Sequence, residues 1–310
     1  VFLAGLVQLV FQLPFVARLG LLVRPVYVRH DEGVSRIGKL MIPALFGVSV
    51  SQINLLLDTL LASFLESGSV SWLYYSDRLN NLPLGVFAIA IGVVILPSLS
   101  GKHAANDGDA FSRTLDWAVR MVFLLALPAA LALVVLATPL MSTIFYHGEI
   151  TAYDIGKMTM SLQAYGSGLL AFMLIKVLAP GYYARQDTKT PVKIGIQAMV
   201  VNMVLNLALV FPLQHVGLAL ATSLSAYYNV FMLYRGLRKT DAYQHQSGWL
   251  TFILKLLAAN LALFGVMFWL MGGAGQWLEW SALDRSLWLT VIVVAGVVTY
   301  FAVLIAAGLR

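Results

Sequence analysis

Asp77 and Arg78 stand side by side in Tyr74-Tyr75-Ser76-Asp77-Arg78, within a stretch that is otherwise apolar from Ser71 to Leu99. An ionisable side chain at bilayer depth costs about 2.5–3.5 kcal/mol on insertion scales, so such residues are functional candidates by default. Adjacent residues on a helix point roughly 100° apart, so each of the two is expected to meet a different neighbour. A guanidinium lining a water-filled cavity offers a fork of donors matched to phosphate, which makes Arg78 a candidate for holding an anionic ligand. The alternative is an arginine that snorkels to the membrane surface from a helix starting later, near Leu82, with the tyrosines as an aromatic belt. The residues by themselves support both.

Three further positions place polar groups inside apolar stretches. Asp58 has Asn54 one turn before it on the same helix face, Asn202 and Asn206 form a second such pair, and Thr222 follows. Carboxylate, amide and hydroxyl oxygens are the hard ligands a small cation takes, so Asp58, Asn202, Asn206 and Thr222 form a candidate Na⁺ or H⁺ coupling site. The residues alone favour plain interhelical hydrogen bonding. Lys176 lies nine residues before Arg185 and either snorkels towards it or lines the lower cavity; it joins Asp77 and Arg78 as a candidate substrate contact. Pro180-Gly181 is expected to break the helix that carries it.

Other chemistries lack their residues. The chain has no cysteine, and its five histidines, His30, His103, His147, His215 and His245, are expected in loops with no pair at ligand spacing, so no metal centre is expected. There is no nucleotide-binding P-loop. Nor are there paired carboxylates or a His–Asp constellation near a membrane face, which a membrane-embedded transferase acting on a lipid-linked sugar would need. The expectation is a protein that is not an enzyme and uses no cofactor apart from a coupling ion.

The elements that must position these residues follow from composition. Of 310 residues 60% are hydrophobic and 11% charged, with a mean hydropathy of +0.84. Soluble domains run at roughly 45–50% apolar and about 25% charged, so this is an all-helical membrane protein. About 20 apolar residues cross a bilayer as a helix. Nine candidate spans satisfy that, at about Val1–Val16, Leu40–Leu65, Ser71–Leu99, Leu115–Leu136, Thr159–Tyr183, Val192–Phe211, Gly217–Leu237, Leu250–Met271 and Leu287–Leu309. Pro83 is the expected kink in the third, which is too long to be straight. No cleavable leader pattern opens the chain, and the expectation is that it continues upstream of Val1.

Alternating crossings put every second connection on one side. One set, with its flanks, holds sixteen of the twenty Lys and Arg residues, from Arg18 to Arg310, and the other only Lys157 and Arg285. The positive-inside rule makes the first set cytoplasmic, the C-terminus with it. The formal net charge of +6 is then an orientation device facing anionic lipid and not a nucleic-acid footprint.

Two longer segments carry a resemblance. They are Gly68-Ser69-Val70-Ser71-Trp72-Leu73-Tyr74-Tyr75-Ser76-Asp77-Arg78-Leu79, with Leu82-Pro83-Leu84-Gly85-Val86 and Leu96-Pro97-Ser98-Leu99-Ser100 beyond it, and Lys176-Val177-Leu178-Ala179-Pro180-Gly181-Tyr182-Tyr183-Ala184-Arg185-Gln186-Asp187-Thr188-Lys189-Thr190-Pro191-Val192-Lys193. With them the chain resembles the MurJ/MviN family, the lipid II flippases of the multidrug/oligosaccharidyl-lipid/polysaccharide exporter superfamily. That family has fourteen membrane helices in two six-helix lobes plus two C-terminal ones, so the nine spans would be helices six to fourteen. The implied organisation is residues 1–18 as the last helix of the N-terminal lobe, 19–39 as a cytoplasmic inter-lobe loop, 40–239 as the C-terminal lobe, and 248–310 as two helices forming a lipid-tail groove.

The resemblance further implies alternating access of a V-shaped cavity that moves lipid II, undecaprenyl-pyrophosphoryl disaccharide-pentapeptide, from the inner to the outer leaflet of the bacterial cytoplasmic membrane. Arg78 matches the family's cavity arginine placed to meet the pyrophosphate. Some members carry a sodium site in the segments that hold Asp58, Asn202, Asn206 and Thr222, but Asn206 stands where an acid can occur. Asn81 departs in the same way from an acid found after the Asp-Arg pair in some relatives. The implied partners are lipid II and membrane lipids, no nucleic acid, and a monomer is expected.

Overall fold

The computed structural model describes residues 2–20, 52–273 and 275–308, and the regular structure among them is helical throughout. Most of the loop assigned to 19–39, the first part of the span from Leu40, His30, the basic residues Arg24, Arg29, Arg36 and Lys39, and Arg310 lie outside the described residues. The chain divides into two units, 1–44 and 45–310. In the first, α1 (Phe2–Arg18) is mainly apolar, with Gln8 and Gln12 one turn apart on one face and none of its residues buried. Gly20 closes it at φ 68°, the left-handed position that glycine supplies most easily.

The second unit runs α2 (residues 52–63), α3 (Ser69–Pro83), a π-helical turn (Leu84–Ala88), α4 (Ile89–Ala104), α5 (Gly108–Val135), α6 (Ala137–Phe145), α7 (Ala152–Tyr183), α8 (Lys189–Lys239), α9 (Trp249–Met271), α10 (Gln276–Glu279) and α11 (Ala282–Ala306). Six stretches are long and apolar enough to cross a membrane, α3 through α4 counting as one of 36 residues. The 51-residue α8 supplies two crossings, because Gln214 (φ 51°, ψ −132°) breaks it just after Pro212. Beyond the break the chain doubles back, bringing Thr222 Oγ1 to 3.4 Å from Asn202 Nδ2. The turn is tight enough that a Cβ on Gly217 would run into the Leu209 carbonyl. The separate expectations of spans at Val192–Phe211 and Gly217–Leu237 therefore hold, giving seven crossings among the described residues. The 17-residue α1 and the described twelve residues of α2 match the other two expected spans in part.

At Pro83, where a kink is expected, α3 ends and passes into the π turn at Leu84–Ala88, and both proline and a π turn are ordinary causes of a kink. Two sequence expectations differ from the structure. Pro180 does not break α7, which continues to Tyr183: the proline removes one backbone bond, the amide donor to the Lys176 carbonyl a turn earlier, and the helix runs on without it. Two histidines are not in loops: His103 ends α4, and His215, just after the break in α8, is only 2% exposed.

At the centre stands α7. Its membrane-length window is 61% buried, against 17–28% for the other crossings, so it is the helix around which the rest assemble. With no hydrophobic force between helices in lipid, close contact and hydrogen bonding must hold them. Ser223 Oγ donates to the Ala164 carbonyl at 2.7 Å, Tyr227 OH to Ser167 O at 2.7 Å, and Tyr182 OH to Leu233 O at 2.7 Å. These bonds bind α7 to the second arm of α8. Trp72 Nε1 reaches Asp154 at 2.8 Å and Ser76 Oγ reaches Met158 O at 2.9 Å, so α3 runs parallel to α7 with a constant offset of 82 residues. Against α5, Gln163 bonds Val134 O while Gly181 faces Leu115, the pairing of antiparallel neighbours.

Because the directions alternate, the connections gather at two ends. At one, Tyr153 bonds Glu66 and His215 meets the Lys157 carbonyl. At the other, Arg185 bonds Thr240 and Ser112 bonds Gln244. The helical hairpin α9–α11 packs on this bundle through Tyr300 OH to Leu124 O and Arg285 Nη1 to Ser142 O, both at 2.7 Å.

The α7–α8 crossing is closest at Gly168, where a Cβ would lie 2.7 Å from Ser223 Cβ and 2.9 Å from its Cα. Overpacking of a tight contact costs roughly 1–3 kcal/mol. Gly168→Leu should therefore lower the Tm of the purified chain by several degrees, whereas Gly195→Leu, where a Cβ meets nothing within 4 Å, should leave it nearly unchanged. Equal Tm values for the two variants would contradict the assigned crossing.

Candidate functional site

The Trp72–Asp154 and Ser76–Met158 bonds hold α3 in fixed register on α7, and Arg78 is two residues further on. It lies about 14 Å along α3 from Ser69, at 1.5 Å per residue. Its side chain is exposed, with the guanidinium 4.9 Å from the centroid of the Tyr74 ring one turn back. The ion pairs among the described residues are Arg120–Asp116 and Lys157–Glu66, so Arg78 makes no ion pair within 4 Å, although the neighbouring Asp77 carboxylate is within electrostatic reach. Asp77 instead accepts from Asn81 Nδ2 at 2.8 Å. The Asp77 carboxylate thus takes its hydrogen bond from Asn81, one turn on, and none from Arg78. Arg78 is left as an open cation within the span, resting on an aromatic face.

Lys176 is also exposed, but the structure does not bring it to Arg78. In the α3–α7 register Arg78 is level with residue 160 of α7, sixteen residues before Lys176, an axial separation of about 24 Å. Proline at 180 leaves the Lys176 carbonyl without its helical amide donor, and Gly92 on α4 lies against that carbonyl, where an added Cβ would be 3.4 Å away.

The four candidate cation ligands do come together. Asn206 Nδ2 donates to Asp58 Oδ1 at 2.6 Å and to Asn202 Oδ1 at 3.0 Å. Asn202 Nδ2 faces Thr222 Oγ1 at 3.4 Å, and Asn54 Nδ2 faces the other Asp58 oxygen at 3.4 Å. The chain of contacts therefore joins α2 to both arms of α8. Asn202 and Asn206 are 1% and 0% exposed, and Asn206 Oδ1 is buried with no partner. Turning the Asn206 amide over would place that oxygen beside Asp58 Oδ1 and Asn202 Oδ1. With a single carboxylate the set suits a monovalent ion better than a divalent one. Among the described residues no cluster of three or more His, Asp or Glu side chains could hold a metal ion.

Tyr165 was not singled out by sequence. It is 8% exposed in the cluster that also holds Ala62, Leu73 and Leu218, and it lies within electrostatic reach of both Asp58 and Asp77. Its cluster thus includes Ala62, one turn beyond Asp58, and Leu73, one turn before Asp77. A tyrosine in an apolar span carries no charge signal, so only the fold exposes its position.

A second polar cluster anchors the same end of the bundle. Thr151 and Asp154 form a reciprocal capping box at the start of α7, and Asp154 also takes the Trp72 indole. The Tyr153 hydroxyl donates to Glu66 at 2.8 Å and holds its carboxyl below the usual range, with Lys157 at 3.3 Å reinforcing it.

Such a bundle of long apolar helices defines an all-helical multi-pass membrane protein. Solved structures carry the same fold: an outward-facing multidrug resistance MATE family transporter of the MOP superfamily aligns over 87% of this chain and 64% of its own, with TM-score 0.57 and 18% identity. A structure described as lipid II flippase MurJ, inward closed conformation, aligns over 94% of this chain and 58% of its own, with TM-score 0.74 and 25% identity. The family model for lipid II flippase MurJ matches residues 1–305, and the chain belongs to that family. A probable lipid II flippase MurJ of Vibrio cholerae is 53% identical over all 310 residues, which span 59% of that relative. The Haemophilus influenzae and Burkholderia cenocepacia relatives are 51% and 39% identical, with 62% and 61% of their lengths covered. The chain thus spans about 60% of the curated relatives it matches.

The network has one negative charge where two would bind sodium better. Asn206→Asp should enlarge the rise in Tm on exchanging choline chloride for sodium chloride, and Asp58→Asn should abolish any such rise. A thermal-shift series in which all three proteins respond alike would remove the cation role from these residues.

Proposed function

We propose that this chain is the C-terminal portion of a lipid II flippase of the bacterial inner membrane, moving the lipid-linked peptidoglycan precursor outward by alternating access, and not an enzyme. The observation that carries the reading is Arg78: an exposed guanidinium in no close ion pair, held partway along a membrane-length helix by the α3–α7 register and matched to the pyrophosphate of such a lipid. A cation in this position favours an anionic lipid over the cationic drugs that acidic cavities take. Asp77, bonded to Asn81 beside the arginine, is proposed as a further contact of the substrate. Lys176, about 24 Å away along the bundle, would meet the substrate only at the opposite end of its path.

Domain roles follow. Residues 1–18 are the last helix of the N-terminal lobe, 40–239 the C-terminal lobe, and 248–310 the hairpin offering its apolar flank to the lipid tail. Of the described basic residues in the second unit, ten cluster at the Arg185 end and two, Lys157 and Arg285, at the Glu66 end. The positive-inside rule therefore supports a cytoplasmic Arg185 end, and with it a cytoplasmic C-terminus. The Asp58 network is the proposed place where Na⁺ or H⁺ would couple, and the transporter acts as a monomer on lipid II.

In the full-length protein, Arg78→Ala should abolish growth of a flippase-depleted strain while membrane expression persists. Arg78→Lys should restore it only in part, because a point charge replaces the bidentate fork. Normal growth of Arg78→Ala at normal expression would remove Arg78 from the substrate path.

A further inference from the structure

At the Arg185 end, α4 and α5 are joined by the short turn at Ala105–Asp107 and run antiparallel, with a groove of about 460 Å³ between them. One wall is a single ridge of α4, Val94, Ser98 and Lys102, spaced four residues apart; the facing wall is formed by Arg113, Thr114 and Trp117 of α5. The groove is graded along its length. Val94, 63% exposed, and Trp117, 49% exposed, face each other deeper in the span; Ser98 and Thr114 stand midway; Lys102 and Arg113 close the end next to the turn.

Both cations are available to a ligand. Lys102 Nζ is held 3.0 Å from Ser98 Oγ, which turns the ammonium over the groove. Neither Lys102 nor Arg113 is in an ion pair among the described residues, although Asp107 and Asp109 are close in sequence. Asp107 instead caps α5 by accepting from the Ala110 amide at 2.9 Å. Apolar side chains, then hydroxyls, then two positive charges at the helix ends reproduce in order the acyl chain, the ester region and the phosphate of a membrane lipid.

We infer that the α4–α5 groove is a binding site for an anionic glycerophospholipid of the surrounding bilayer, with its phosphate between Lys102 and Arg113 and an acyl chain along Val94 and Trp117. Lys102 is 24 residues beyond Arg78 on the α3–α4 stack, about 36 Å along its axis, and the exposed Val94 and Trp117 leave the groove open at the surface of the described residues. Its occupant would brace the short α4–α5 turn against the membrane surface, and the inference does not depend on which substrate the transporter carries.

The test is fluorescence quenching of Trp117 in the full chain reconstituted into bilayers, the Trp117 signal being the difference between the parent and Trp117→Phe. Brominated phosphatidylglycerol should quench it in preference to brominated phosphatidylcholine, on the order of tenfold, the scale expected of two basic groups at an anionic lipid. Lys102→Gln/Arg113→Gln should bring the preference to about unity, and the charge-conserving Lys102→Arg/Arg113→Lys should retain it. Equal quenching by the two lipids in the parent, or a preference that survives the double glutamine variant, overturns the site. Loss of the preference on adding inorganic phosphate would make it a site for free anions. Displacement of the brominated lipid by an equimolar polyprenyl pyrophosphate would give it to the transported lipid. Either result also overturns the phospholipid assignment.

Discussion

The close approach of α7 to the second arm of α8 is the contact on which the remaining structure depends. At Gly168 the two backbones meet with only Ser223 between them, and the serine hydroxyl bonds the Ala164 carbonyl. Inside hydrocarbon such a contact replaces the hydrophobic force that would assemble helices in water. Once α8 is seated there, its first arm returns past Gln214 and carries Asn202 and Asn206 inward to meet Asp58. The Asp58 hydrogen-bond network is therefore a product of the hairpin.

The same helix sets the depth of the arginine. α7 begins at a capping box whose carboxylate also receives the Trp72 indole, and the serine one turn on bonds Met158. Those two bonds give α3 one vertical position, and Arg78 takes its depth from it. At the opposite end an analogous anchor operates through Asp116, 2% exposed, which gathers Tyr243, Trp249 and Arg120 and so fixes the loop leading into the last hairpin. A buried carboxylate with three donors is fully satisfied and costs little to keep.

Much of this was legible in the residues. The helical class, the crossings, their alternation and the basic end all follow from apolar run length and the placement of lysine and arginine, because lipid permits few alternatives. Asp77 and Arg78 could be seen to diverge, since that is local helix geometry. Other features were not legible. The π turn that follows Pro83 depends on whether the widened turn can be accommodated by neighbours, and the continuation of α7 past Pro180 on whether the helix can run on without one backbone bond. His215 reads as a loop histidine until the break at Gln214 folds it against Trp72, ring centroids 5.0 Å apart.

What the sequence by itself determined is which side chains are costly in a membrane and how many helices must carry them, because those depend on composition and on periods within one segment. Only the tertiary structure decided which of them share a site. It joined Asp58, Asn202, Asn206 and Thr222, residues up to 164 apart, brought Tyr165 beside them, and separated Lys176 from Arg78. Proximity across helices is set by crossing points and register, and those are fixed by contacts such as Gly168–Ser223 and Trp72–Asp154 that no single segment encodes.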